Sequence, residues 1–129
     1  MKQNWYIGNS LGEHKRIYFD VSHCEKFVTI VERIPELSWL EDLDPEISET
    51  WKKTPQYYKT SAIFDFNLKK VNPYGLHIWY DNNVDIIIAD PRSKKDKKAI
   101  SIIFDIADAL NANVYEGSVR RLREKFMQG

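Results

Sequence analysis

The sequence predicts an α+β domain: a mixed, mainly antiparallel sheet of about five or six strands with a long helix, about 95–111, packed on one face. Accessory helices are expected near 45–53 and 119–127. Three observations predict this class. Short β-rich runs between residues 60 and 89 are separated by turn residues. A broad apolar stripe at helical spacing follows, through Ile100, Ile103, Phe104, Ala107 and Leu110. The chain has 129 residues, a length suited to one domain, 1–129.

The elements follow in order. Asn4-Trp5-Tyr6-Ile7-Gly8 reads as a first strand, and Arg16 to Val21 is rich in β-formers. Lys26 to Arg33 reads as another strand, ended by Pro35. Asp44-Pro45-Glu46 is a helix opening, with Asp44 as cap and Pro45 at the first helical position, where its missing N–H costs nothing. Ile47 and Trp51 share one face of that helix, and Pro55 stops it.

Alternation in Ile63-Phe64-Asp65-Phe66-Asn67-Leu68 predicts a half-buried strand. Asn72-Pro73-Tyr74-Gly75 is a turn, Leu76 to Tyr80 a strand, and Asp81-Asn82-Asn83 a tight reversal. Val84 to Ala89 is a nearly continuous apolar run, as in a central strand covered on both faces. Ser93 or Asp96 caps the helix that follows, and Asn113 is the expected left-handed residue after it. Val114-Tyr115 returns as a short strand. Ser118 is the expected cap of a last helix, Val119 to Met127, with Val119, Leu122 and Phe126 inward.

Composition excludes several classes. A hydrophobic fraction of 43% and a charged fraction of 29% argue against disorder. Lys plus Arg and Asp plus Glu are both 19, so the basic excess expected of a dedicated nucleic-acid binder is missing and that partner class is unfavoured. A single cysteine, Cys24, cannot form an internal disulfide and suits a reducing compartment. No apolar h-region follows Lys2, and neither Val84–Ala89 nor Ala99–Leu110 is a membrane span. A cytoplasmic protein without membrane partners is expected.

Signatures of chemistry are sparse. His14, His23, Cys24 and His77 have no C-x-x-C or H-E-x-x-H spacing, so neither a metal nor another cofactor is expected. Cys24 has no partner motif that would activate a thiolate. The glycines form no phosphate loop, and no serine lies in a G-x-S-x-G elbow. Asp65, Asp81, Asp85 and Asp90 fall on or beside the meander, where solvated edge carboxylates are the ordinary case.

Charge placement is more informative. Between Pro35 and Thr50 lie Glu36, Glu41, Asp42, Asp44, Glu46 and Glu49, with no Lys or Arg among them. Leu37, Trp39, Leu40 and Leu43 are interleaved, and Trp51 follows. Aromatic anchors supply affinity while charge steers encounter, so this pattern suits a basic protein partner. The expected binding residues are Glu36, Trp39, Glu41, Asp42, Asp44, Glu46, Glu49 and Trp51. A solvated acidic loop leading into a helix N-terminus would carry similar charge. Basic residues gather instead in Arg92–Lys98 and Arg120–Lys125.

The stretch Ala99-Ile100 through Ile106-Ala107-Asp108-Ala109-Leu110-Asn111-Ala112-Asn113-Val114-Tyr115-Glu116 resembles a closing helix–strand unit of many small bacterial proteins. Immunity proteins of bacterial toxin–immunity systems, including contact-dependent inhibition, are among them. The resemblance is one of packing and transfers no functional residue. It implies a cytosolic non-enzyme that neutralises a cognate toxin, such as a basic nuclease, by charge-complementary binding. Two alternatives stand beside it. One is a small enzyme whose site assembles from scattered Asp, His and Tyr, such as Asp85 and His77. The other is a nucleic-acid-associated factor using the two basic runs as one face.

Overall fold

A computed structural model of the chain describes residues 4–8, 10–11, 17–18, 24–39, 61–65, 74–81, 86–117 and 119–127. These residues form an α+β structure. The strands are β1 (Trp5–Gly8), β2 (Ser10–Leu11), β3 (Ile17–Tyr18), β4 (Leu37–Trp39), β5 (Ser61–Phe64), β6 (Leu76–Asp81), β7 (Ile86–Pro91), β8 (Asn113–Glu116) and β9 (Val119–Arg121). The helices are α1 (Cys24–Arg33), α2 (Lys97–Ala109) and α3 (Arg123–Met127). Seven strands form one sheet in the order β4-β5-β6-β7-β1-β8-β9, and β2 pairs with β3 separately. Every neighbouring pair is antiparallel. The expected five or six strands become seven because Leu37–Trp39 and Val119–Arg121 extend the sheet at its two ends.

Strand β7 occupies the centre, as its apolar run implies, but it starts at Ile86 and runs to Pro91, two residues later than expected. One sheet face carries Trp5, Ile7, Ile78, Tyr80, Ile87 and Ala89, packed with Phe27 and Val31 of α1 and Ile100, Ile103 and Ile106 of α2. The other face carries Tyr6, Ile86, Ile88 and Tyr115 as a smaller cluster. Strand alternation sends successive side chains to these two layers.

The helix expected over about 95–111 is shorter, 13 residues from Lys97 to Ala109. Asp96 sets its start: the Ala99 N–H donates to Asp96 Oδ1 at 3.1 Å. Its end is a Schellman arrangement, in which the Ala112 N–H donates to the Ala107 carbonyl and the Asn111 N–H to that of Asp108. The left-handed residue is Asn111, φ 53°, two positions before the expected Asn113. Replacing the cap, Asp96→Ala, is expected to lower stability by about 1 kcal/mol, read as a shifted urea midpoint at unchanged slope. Asp96→Asn should recover most of the loss, since asparagine caps about as well.

Two further expectations are corrected. Lys26–Arg33 is helix, not strand. Phe27 and Val31 are buried, Ile30 and Ile34 are partly buried, and Lys26, Thr29, Glu32 and Arg33 face solvent. Positions 27, 30, 31 and 34 form a helical stripe, and burying it outweighs the β preference of Val28, Thr29, Ile30 and Val31.

The last helix is only Arg123–Met127. Val119–Arg121 pairs instead with β8, with Glu116 opposite Val119. Gly117, directly after β8, takes φ 60°, a conformation that glycine adopts without strain. Val119 and Leu122, expected inward, are exposed. The expected helix near 45–53 lies outside the described residues.

Candidate functional site

Strand β4 is a terminal strand of the sheet among the described residues. It is set in place by the turn that ends α1: the Ile34 N–H donates to the Val31 carbonyl, and the Leu37 N–H to the Ile34 carbonyl. Leu37 is buried opposite Phe64, while Trp39 is half-buried opposite Ala62. The Trp39 ring meets Phe27 of α1 edge-on, 6.4 Å between centroids at 73°. The rest of Trp39 lines an open groove of about 540 Å³ together with Val31, Glu32, Ile34, Pro35 and Leu37.

Glu36 stands in the turn before β4 and pairs with Lys98 of α2. That partner holds the Glu36 carboxyl below its usual pKa and the Lys98 ammonium above its own. Glu36 and Trp39 are therefore the two expected binding residues that the structure places, three positions apart at one sheet edge. Glu41, Asp42, Asp44, Glu46, Glu49 and Trp51 lie outside the described residues.

The two basic runs, separate in sequence, meet. Glu116 of β8 is 4% exposed and holds Lys94 from the first run and Arg121 from the second, the latter through Nε at 3.1 Å and Nη2 at 2.9 Å. Arg123 bonds Asp105 at 3.0 Å and Asp108 at 2.7 Å and lies 5.5 Å from the centre of the Phe104 ring. Much of this basic charge is thus spent inside the protein.

A third cluster was not legible as a unit in the sequence. His77 lies directly across the β6–β7 ladder from Asp90 and across β5–β6 from Ile63. Its ring stacks on Trp79 at 4.5 Å and meets Tyr74 at 5.6 Å. His77 is 3% exposed. Burial pushes its pKa down from 6.5 to about 4, against a smaller upward pull from Asp90. Burial, helped by Asp90, raises the Tyr74 hydroxyl. The residue anticipated beside His77 was Asp85, which lies outside the described residues. The signal for Asp90 was register: pairing Asp81 with Ile86 sets 77 against 90.

Among the described residues no group of three or more His, Cys, Asp or Glu side chains converges as metal donors. Asp65, which follows β5, is exposed and takes φ 57°. No helix of the described residues is long and apolar enough to cross a membrane. What the fold and these clusters define is an α+β domain with an aromatic, acid-flanked sheet edge. The chain matches no protein family, no curated protein and no solved structure.

Proposed function

We propose that this chain is a non-catalytic, cytoplasmic binding protein of the immunity type, neutralising a basic bacterial toxin through its acidic, Trp-containing segment. The observation that carries the reading is Trp39. It is half-buried on a terminal strand, braced by Phe27 on one side and open to a groove on the other. A rigid aromatic at a sheet edge is an anchor of the kind that dominates binding energy. The chain that continues from it carries Glu41, Asp42 and Asp44 with no compensating base before Lys52, which favours a basic partner.

The competing reading, a small enzyme, draws on His77, Asp90 and Tyr74. The enclosure of His77 between two rings at 3% exposure favours packing over contact with a substrate.

Affinity capture from the native lysate, with products of neighbouring genes included, tests the proposal. One basic protein should be retained at stoichiometric level through moderate salt. Reversing Glu41, Asp42 and Asp44 to Lys should weaken its binding by ~100-fold or more, since close interfacial charge pairs couple at 1.5 kcal/mol and upward. The thermal midpoint should stay within about 2 °C of wild type, as for surface substitutions. Undiminished binding by the triple variant would remove this surface from the proposal.

A further inference from the structure

We propose that Lys98 of α2 and Glu36 form a tie that holds the start of β4 in place, so that Glu36 acts as a positioning residue for that strand. The functional meaning of the β4 edge rests on the reading proposed above; the tie itself does not. Glu36 stands in the turn between α1 and β4, and Lys98 is the second residue of α2, so the pair joins segments far apart in the chain.

Beyond its cap Asp96, the first turn of α2 carries Lys97 and Lys98 and no acid. Positive charge there opposes the helix dipole, a local cost within the chain segment itself. Glu36 answers it from outside the helix, where its carboxylate meets the Lys98 ammonium. The Glu36 side chain is 31% exposed and that of Lys98 56%. The two titrate as partners. Hydrogen bonding to Lys98 holds Glu36 low, and hydrogen bonding to Glu36 holds Lys98 high, with a smaller upward pull from Asp105. Lys97 beside it is exposed and has no carboxylate partner among the described residues.

What the tie holds is a strand of three residues whose sheet neighbour among the described residues is β5. Its start is fixed by the Leu37 N–H, which donates to the Ile34 carbonyl at 3.1 Å, and its end by the contact of Trp39 with Phe27. Glu36 directly precedes Leu37. A short terminal strand opens locally at low free energy. An exposed ion pair adds little to global stability, yet it is felt in such a local opening. At the ordinary strength of exposed pairs, loss of the tie raises the opening about two- to fivefold.

Native-state hydrogen exchange of the Leu37 amide, followed by NMR on the full chain alone, tests the tie. Lys98→Gln should lower Leu37 protection about two- to fivefold. Position 98 is remote from Leu37 in the chain, so the substitution leaves the intrinsic exchange rate of that amide unchanged. Lys97→Gln removes the same charge from the same helical turn and should leave Leu37 protection as in wild type. In 1 M NaCl, where the screening length is about 3 Å, the difference between wild type and Lys98→Gln should shrink. Exchanging the charges, Glu36→Lys with Lys98→Glu, should return protection to at least the wild-type level, because an acid also suits the helix start. Equal protection in Lys98→Gln and wild type overturns the proposal. An equal loss in Lys97→Gln, or a charge-exchanged pair that stays loose, overturns it too. No partner enters the measurement, so a failed lysate capture removes the immunity reading and leaves this result standing.

Discussion

Phe27→Ala is expected to destabilise the protein by about 4 kcal/mol, within the range for deleting a fully buried aromatic. Phe27 is wholly buried in the main cluster. Its ring contacts Trp39 at 6.4 Å and Tyr80 at 6.3 Å. Truncation removes apolar area and leaves a void bounded by two large rings, which alanine cannot fill. Because Trp39 loses the ring that braces it, the variant should also redden and broaden tryptophan emission before global unfolding begins. Urea titration at neutral pH supplies the energy, and Phe27→Leu serves as the milder control. A loss below about 1.5 kcal/mol would mean that α1 does not pack on β4 as described.

The second large effect is a dependence on pH. His77 titrates near 4 in the folded protein and near 6.5 when exposed on unfolding. Between those values the unfolded chain binds the proton and the folded one does not. Stability therefore falls as pH drops from about 6.5 towards 4, and the full contribution is present above that window. A separation of this size corresponds to about 3 kcal/mol. Carboxylates titrate in the lower part of the same range, so the measurement is a difference: wild type against His77→Leu, each unfolded in urea at pH 7.5 and pH 4.5. Wild type should lose more stability than the variant between the two conditions. Parallel losses would place the His77 ring in contact with water or with a stronger proton-stabilising partner than Asp90.

These two residues show where sequence reasoning stops. His77 was visible as a strand residue, and its neighbours Leu76 and Ile78 as core. Its environment depends on register, which sets it opposite Asp90 and Ile63, and on the rings of Tyr74 and Trp79. Phe27 was visible as an apolar residue in an ambiguous segment. Alternation sets Phe27 and Thr29 against Val28 and Ile30, whereas helical spacing joins Phe27, Ile30, Val31 and Ile34, and a ten-residue segment is too short for propensity to choose. Val119-Arg120-Arg121-Leu122 carried the opposite ambiguity. A helical spacing of apolar residues concealed a hairpin whose evidence was the Gly117-Ser118 pair.

Of the candidate site, the segregation of acids into 36–49 and of bases into 92–98 and 120–125 was fully legible, since charge order is a property of the chain. The meeting of Lys94 and Arg121 on Glu116 was not.

The sequence by itself determined the α+β class, the β6–β7 hairpin, the central place of β7, and a helix after it capped by Ser93 or Asp96, of which the structure uses Asp96. Each rests on interactions between residues a few positions apart, such as a cap, a turn or a period. Only the tertiary structure decided that 24–33 is helix, that 119–121 is strand, that Trp39 stands braced at one end of the sheet, and that Val119 and Leu122 lie open at the other. Those outcomes depend on which distant surface is available to bury an apolar stripe, and on which strands find a partner. Burial of that kind outweighs the fractions of a kcal/mol by which local propensities differ.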